Sequence, residues 1–211
     1  TMIARVGKTN VLTVQADLTG TTTATETISV NLETGVSNAT TLTSLTTLNT
    51  GPGTGRTLTI AAGTVSVSLN SSFGNKSSTN PTGTINAASV KLGSFVIIGG
   101  AGEDADVSQI ALVDVSTALN LNTYTQNVKL MHNGVQIAPT LASPASAASA
   151  VQTHTFNVSP SISVPAGGQY VVDVVADLKA TQTSAAAIIT TGAITASGHT
   201  TGTSANYSTA V

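Results

Sequence analysis

The sequence predicts an all-β protein, an antiparallel Ig-like β-sandwich with an extended N-terminal strand segment. Short stretches alternate apolar and polar residues with period two, as in Val172, Val174, Ala176 and Leu178, which marks strands with one buried face. Gly, Pro and Asn clusters separate these stretches and supply the turns. No stretch carries a sustained 3.6-residue apolar period, so any helix is expected to be short. Many short strands with such turns form two packed antiparallel layers.

The elements follow in chain order. Met2–Val6 reads as a strand that leads through Gly7 into Val11–Leu18. Ile28, Val30 and Leu32 then alternate with Thr27, Ser29 and Asn31. Ala39–Leu48 is Thr-rich and holds a short strand through Leu42, Leu45 and Leu48, because so many threonines disfavour a helix. Gly51-Pro52-Gly53 breaks the chain. Leu58 and Ile60 precede Val65, Val67 and Leu69, and the two runs are expected to form a hairpin-like pair. Residues 70–86 are a polar loop with Phe73 as its packing anchor. Val90–Ile98, an acidic glycine turn and Val107–Val115 come next. Asn133-Gly134 between Val128–Met131 and Val135–Ile137 is a strong hairpin signal. Pro139 and Pro144 make residues 138–150 a loop. Gln152–Val158 places His154, Phe156 and Val158 on one face, and Pro165-Ala166-Gly167-Gly168 leads into Gln169–Leu178. Ile188–Ile189 and Ala193–Ala196 add further strand, and Ser197–Val211 reads as a tail or an interface strand.

Gln169–Leu178 (QYVVDVVADL) has an echo in Asn10–Leu18 (NVLTVQADL), at an offset of 160 positions (178 minus 18). The offset also aligns Gly7 with Gly167, Thr21 with Thr181, Thr23 with Thr183 and Ile28 with Ile188. A repeat of that period is about one domain long. Residues 1–33 are therefore expected to be an N-terminal strand segment, and 34–211 a β-sandwich with a Gly/Thr-rich tail. The segment has three readings: donated to a neighbouring subunit, packed in its own sandwich, or the end of a preceding unit. Thr1 is not an initiator residue, so the chain is expected to be processed or partial.

Composition narrows the function classes. Of 211 residues only 8% are charged and 3% aromatic, and the net charge is −2 without a basic cluster. Nucleic-acid binding needs grouped Lys and Arg and is not expected. There is no cysteine, hence no disulfide or thiolate metal site. No apolar run is long enough to span a membrane. A chain solvated by Thr and Ser hydroxyls more than by charges points to a secreted or cell-surface setting.

Glu103, Asp104 and Asp106 are the one acidic cluster, a candidate for calcium with its six to eight oxygen ligands or simply a solvated turn. Asp17 and Asp177 occupy matched positions and read as one structural aspartate that accepts backbone N–H bonds. His132, His154 and His199 lack ligand spacing, and His154 reads as a core or boundary residue. No nucleophile elbow or phosphate loop occurs, so no enzyme and no cofactor beyond calcium is expected. Asn38, Asn70, Asn75, Asn157 and Asn206 stand in N-glycosylation sequons and are candidates for glycans on an exported chain.

Ser94-Phe95, Gly102-Glu103-Asp104, Val128-Lys129-Leu130, and Val164-Pro165-Ala166-Gly167 running into Ala176-Asp177-Leu178 form a connected pattern. It resembles the repeated, Thr-rich β-sandwich domain of large secreted surface proteins of uncultivated bacteria. The resemblance spans about residues 86–180, with 1–33 as the closing part of a preceding unit. Met131 stands where the pattern often has an aromatic. The resemblance implies a cell-surface or extracellular-fibre role and transfers no catalytic residue.

The expected function is a structural subunit of an extracellular filament, tube or surface layer, with other copies of itself as partners. Leu12, Val14, Ala16 and Leu18 are the expected subunit interface, joined by β-strand addition. The alternative is a surface-displayed adhesin or carbohydrate-binding module. Tyr124, Tyr170 and Tyr207 are too few and too separated in sequence for an obvious sugar platform.

Overall fold

The computed structural model describes residues 3, 5–9, 11, 13–16, 27–32, 35–50, 53–59, 61–73, 84–114, 121–145, 151–180, 189–209 and 211. They are antiparallel β throughout, with one 3-10 turn at Ser71–Phe73 and one short helix, α1 (Leu121–Tyr124). The chain divides into two compact units, Thr1–Ala61 and Ala62–Val211. The division falls later than residue 33 because residues beyond 33 pair back onto the strand before it.

The described strands of the first unit form two two-stranded sheets. Strand β1 (Thr27–Leu32) pairs with β4 (Gly53–Thr59), and β2 (Gly35–Thr40) with β3 (Thr47–Thr50). In sequence the second pairing nests inside the first, with a turn at Thr41–Thr46. The Thr41 hydroxyl accepts the Thr46 N–H at 2.9 Å inside that turn. Ser29 faces Thr57 whereas Asn31 faces Thr54, which places a bulge between them. Two expectations are corrected here. Leu58 belongs to a strand that pairs with β1, not with the Val65–Leu69 run, and Ala39–Leu48 is two strand ends around a turn. In that turn Leu45 takes a φ of 54°, a conformation that ends a strand.

The described residues before β1 form no strand, contrary to the strands expected over Met2–Val6 and Val11–Leu18. A strand needs a ladder partner, and alternation alone does not supply one. Lys8 N–H closes a turn onto Arg5 O at 3.0 Å around Gly7.

The second unit has two sheets. One runs β5 (Val65–Leu69), β6 (Val90–Gly99), β11 (Gln169–Leu178), β8 (Thr125–His132), β9 (Val135–Gln136); the other runs β10 (Gln152–Val164), β7 (Ala105–Asp114), β12 (Ile189–Gly198). Chain direction therefore changes sheets at the acidic turn between β6 and β7. Both sheets contribute to a single apolar core: Phe95, Ile97, Val172 and Val174 from the first, and Val107, Ile110, Leu112, Phe156 and Ile194 from the second. Asn133 and Gly134 take φ values of 47° and 81°, the two left-handed positions of a type I′ hairpin turn. Helix α1 is pinned at its start by Asp114, whose Oδ2 accepts the Leu121 N–H at 2.5 Å. Beyond β12 the chain folds back along that strand, with Ile194 facing Tyr207 and Ser197 facing Ser204.

Candidate functional site

Strand β11 is the reference for its N-terminal echo. It lies between β6 and β8, and Val172, Val174 and Ala176 are buried. In the echo the equivalent Val14 is 60% exposed, and Ala16 is exposed too. Val6 and Val11 are likewise exposed. Leu12 and Leu18, the other expected interface residues, lie outside the described residues, as does Asp17. A pattern that fills a core in one place is thus presented to solvent in the other.

The β1–β4 pair also exposes apolar side chains. Ile28 stands directly opposite Leu58 and so shares a face with it. They are 37% and 58% exposed, and Val30 is 49% exposed. An isolated two-stranded ribbon is marginal in water, so such a face gains from a covering partner.

The repeat extends beyond Ile28. At the same offset Thr40, Thr41, Thr43 and Ser44 match Thr200, Thr201, Thr203 and Ser204. Both stretches form the turn of a hairpin, and in both the first hydroxyl of the turn accepts a backbone N–H: Thr41 from Thr46, and Thr201 from Thr203 at 3.2 Å. The continued identity was the available signal.

Glu103 occupies a structural position that sequence reasoning missed. Its Oε1 accepts from Gly63 N (3.2 Å) and Thr201 Oγ1 (2.5 Å), and its Oε2 from Thr200 N (2.8 Å) and Thr201 N (3.1 Å). Burial raises this carboxyl's pKa, but the bonds from Thr201, Thr200 and Gly63 outweigh it and hold the value below the ordinary 4.5. Gly63 packs so tightly that an added Cβ would lie 3.1 Å from Gly198 Cα. The start of β5 and the end of β12 are therefore fastened together. Asp104 Oδ1 accepts from Ala166 N at 2.8 Å, and Asp106 Oδ2 meets His199 Nδ1 at 2.8 Å, which raises the His199 pKa. Each of the three carboxylates expected to offer calcium ligands thus serves a protein donor. Among the described residues no group of three or more His, Cys, Asp or Glu side chains is placed to hold a metal ion.

Asp177 accepts the Ser89 N–H and an Asn127 side-chain N–H, both at 2.8 Å. Ser89 and Asn127 have φ values of 55° and 53°, so one carboxylate steadies two left-handed residues. The Asn127 and Ser89 bonds lower its pKa. Across β6 and β11, Ser94 Oγ donates to Asp173 Oδ1 at 2.6 Å and accepts from Asn70 Nδ2 at 2.8 Å, while Lys91 meets Asp173 Oδ2 at 2.6 Å. His154 is buried, and its Nε2 has no hydrogen-bond partner among the described residues. Burial lowers its pKa, opposed by the charge of Asp114.

The sequons divide by geometry. Asn157 and Asn206 are exposed, and each uses its Oδ1 as an acceptor, from Gln109 and from Ala196 N respectively. Asn70 uses the amide nitrogen that a glycan would occupy. Asn38 lies on β2, and Asn75 lies outside the described residues.

A carbohydrate platform needs converging aromatics. Tyr170 stacks on His132 with ring centroids 3.8 Å apart at the start of β11, whereas Tyr124 O accepts Lys179 N just past the end of that strand. The two tyrosines are a strand length apart. A cleft of about 450 Å³ lies between Gln136–Pro139 and Ser159–Ile162 and has no charged lining residue. Among the described residues no helix is long and apolar enough to cross a membrane. The chain matches no family model, no curated protein and no solved structure.

Proposed function

We propose that this chain is a structural subunit of an extracellular filament, tube or surface layer, and that copies join by β-strand addition. In this reading the second unit is an Ig-like sandwich, and the N-terminal segment is the strand offered to the next copy. One observation carries it: the Val11–Ala16 stretch repeats the apolar pattern of the central strand β11, yet Val14 is 60% exposed. Covering an exposed Val or Leu fully contributes about 1.5–3 kcal/mol per side chain, before the cost of ordering the segment. A head-to-tail contact of this kind does not close on itself and builds fibres. The likeness to Thr-rich surface proteins and the hydroxyl-rich, charge-poor surface agree with a cell-surface setting. A surface-displayed adhesin is the rival class, and the separated tyrosines give it no platform.

The test is deletion of residues 1–18, with folding of the remainder checked by circular dichroism. Electron microscopy of full and shortened chains should show polymers only for the full chain. Undiminished polymerisation of the shortened chain would sink strand donation.

A further inference from the structure

We propose that the outer edge of β5 is the acceptor, and that its occupant is the Val11–Ala16 stretch of a second copy; this rests on the strand-addition reading and names the place where it happens. Sheet edges are usually blunted by short length, proline, bulges or a covering segment. In the second unit most edges are blunted in these ways. The β12 edge is covered by the returning chain through Tyr207 and Ser204. The β8 edge is covered by β9 and by Leu141, which bridges Val128. Pro160 interrupts β10, where its register on β7 breaks between Asn157 and Ile162. Strand β9 is two residues long.

Strand β5 has none of these devices. Its five residues pair with β6 in continuous register and include neither proline nor charge, and β6 is its one ladder partner among the described residues. Gly100 N bonds to Thr64 O (2.8 Å) and Asn70 N to Ser94 O (3.0 Å). Hydrogen-bonded pairs alternate along an antiparallel ladder, so the N–H and C=O groups of Val65, Val67 and Leu69 point away from β6. Among the described residues they have no ladder partner and form a row of donors and acceptors.

The proposed occupant matches this edge chemically. Val11–Ala16 carries no charge, and its described residues are exposed and lie outside any strand. Laid beside β5, its apolar set of Leu12, Val14 and Ala16 continues the core-facing set of Val65, Val67 and Leu69. Thr13 and Gln15 then fall beside Ser66 and Ser68 on the opposite face. A slip of one residue would put valine and alanine beside the serines, so the register is specified.

Cysteine trapping tests this, because the chain has no cysteine of its own. Ser66→Cys is mixed with Thr13→Cys, and separately with Gln15→Cys, each on an otherwise intact chain. Ser66 would sit in a non-hydrogen-bonded pair with the added strand, the closer of the two pair types and within disulfide reach. The control acceptor is Ser108→Cys, exposed on β7 in the other sheet. The expected result is a mixed disulfide between the two variants in at least one combination, forming at least about tenfold faster than with the control, since held neighbours have millimolar effective concentrations. Polymers without preferential trapping at Ser66 would overturn the β5 assignment alone. Trapping only when both cysteines lie in one chain would place the segment in cis and overturn the second copy as occupant. A chain that never self-associates would overturn this assignment together with the strand-addition reading.

Discussion

Ile28 lies directly opposite Leu58 across the β1–β4 ladder, and both side chains remain exposed. Cross-strand apolar pairs stabilise a sheet by a few tenths to about 1 kcal/mol. Covering the pair with another surface would contribute more.

The double substitution Ile28→Thr with Leu58→Thr keeps β propensity and removes apolar area. Self-association should weaken by about tenfold or more, since each 1.4 kcal/mol is a factor of ten. Sedimentation measures this, and the melting temperature of the second unit should not change. An unchanged association constant would show that this face stays uncovered in the polymer.

Asp177→Ala removes an acceptor shared by Ser89 N–H and the Asn127 side chain. Bonds to a charged group contribute about 1.5–3 kcal/mol each in well-packed settings, and the exposure of this site reduces that. A loss of about 1–3 kcal/mol in urea unfolding is expected. The Asp177 pKa is lowered in the fold. Its contribution is therefore complete above the ordinary carboxyl value and lost as pH falls through the folded value. The variant should show a flatter acid limb than the parent.

His154 on β10 and His199 just past the end of β12 should titrate with opposite signs. His154 is buried with its pKa lowered, so protonation favours the unfolded chain and stability falls as pH drops below about 6.5. His199 is paired with Asp106 and its pKa is raised. Its stabilising contribution is present below the ordinary value and disappears as pH rises through the folded value. Thermal melts across pH 5 to 8 should show a shallower acid loss for His154→Leu and a steeper one for His199→Ala. Parallel curves for all three proteins would contradict these environments.

Glu103→Gln places an amide N–H₂ where backbone donors now converge from Gly63, Thr200 and Thr201. The second unit should lose about 1–3 kcal/mol, read by urea unfolding. Calcium to about 1 mM, the affinity range of extracellular sites, should leave the parent melting temperature unchanged because these oxygens already have protein donors. A clear rise with calcium would show that the carboxylates regroup around the ion.

Strand β11 was legible to the residue, because four alternating apolar positions sit between Gly168 and the Lys179 loop. The Asn133-Gly134 turn was legible for a similar reason, since few other residue pairs take two positive φ values. Pairing was less visible. Threonine-rich stretches such as Thr27–Leu32 and Gly53–Thr59 carry similar faces, so proximity in sequence favoured Leu58 with Val65 while the real partner of Leu58 is Ile28. The acidic turn reads the same whether the next strand returns to its sheet or crosses to the other. Glu103 meets Thr200 and Thr201 across almost a hundred residues, and local pattern holds no trace of such a contact. At the N-terminus alternation implied a strand that the described residues do not form.

The claim that copies join through an exposed apolar segment is tested most directly by sedimentation velocity of the intact chain over a concentration series. The account predicts an open series of species that grows with concentration and loses its larger members when residues 1–18 are removed. A single monomer-sized species at every concentration would contradict it.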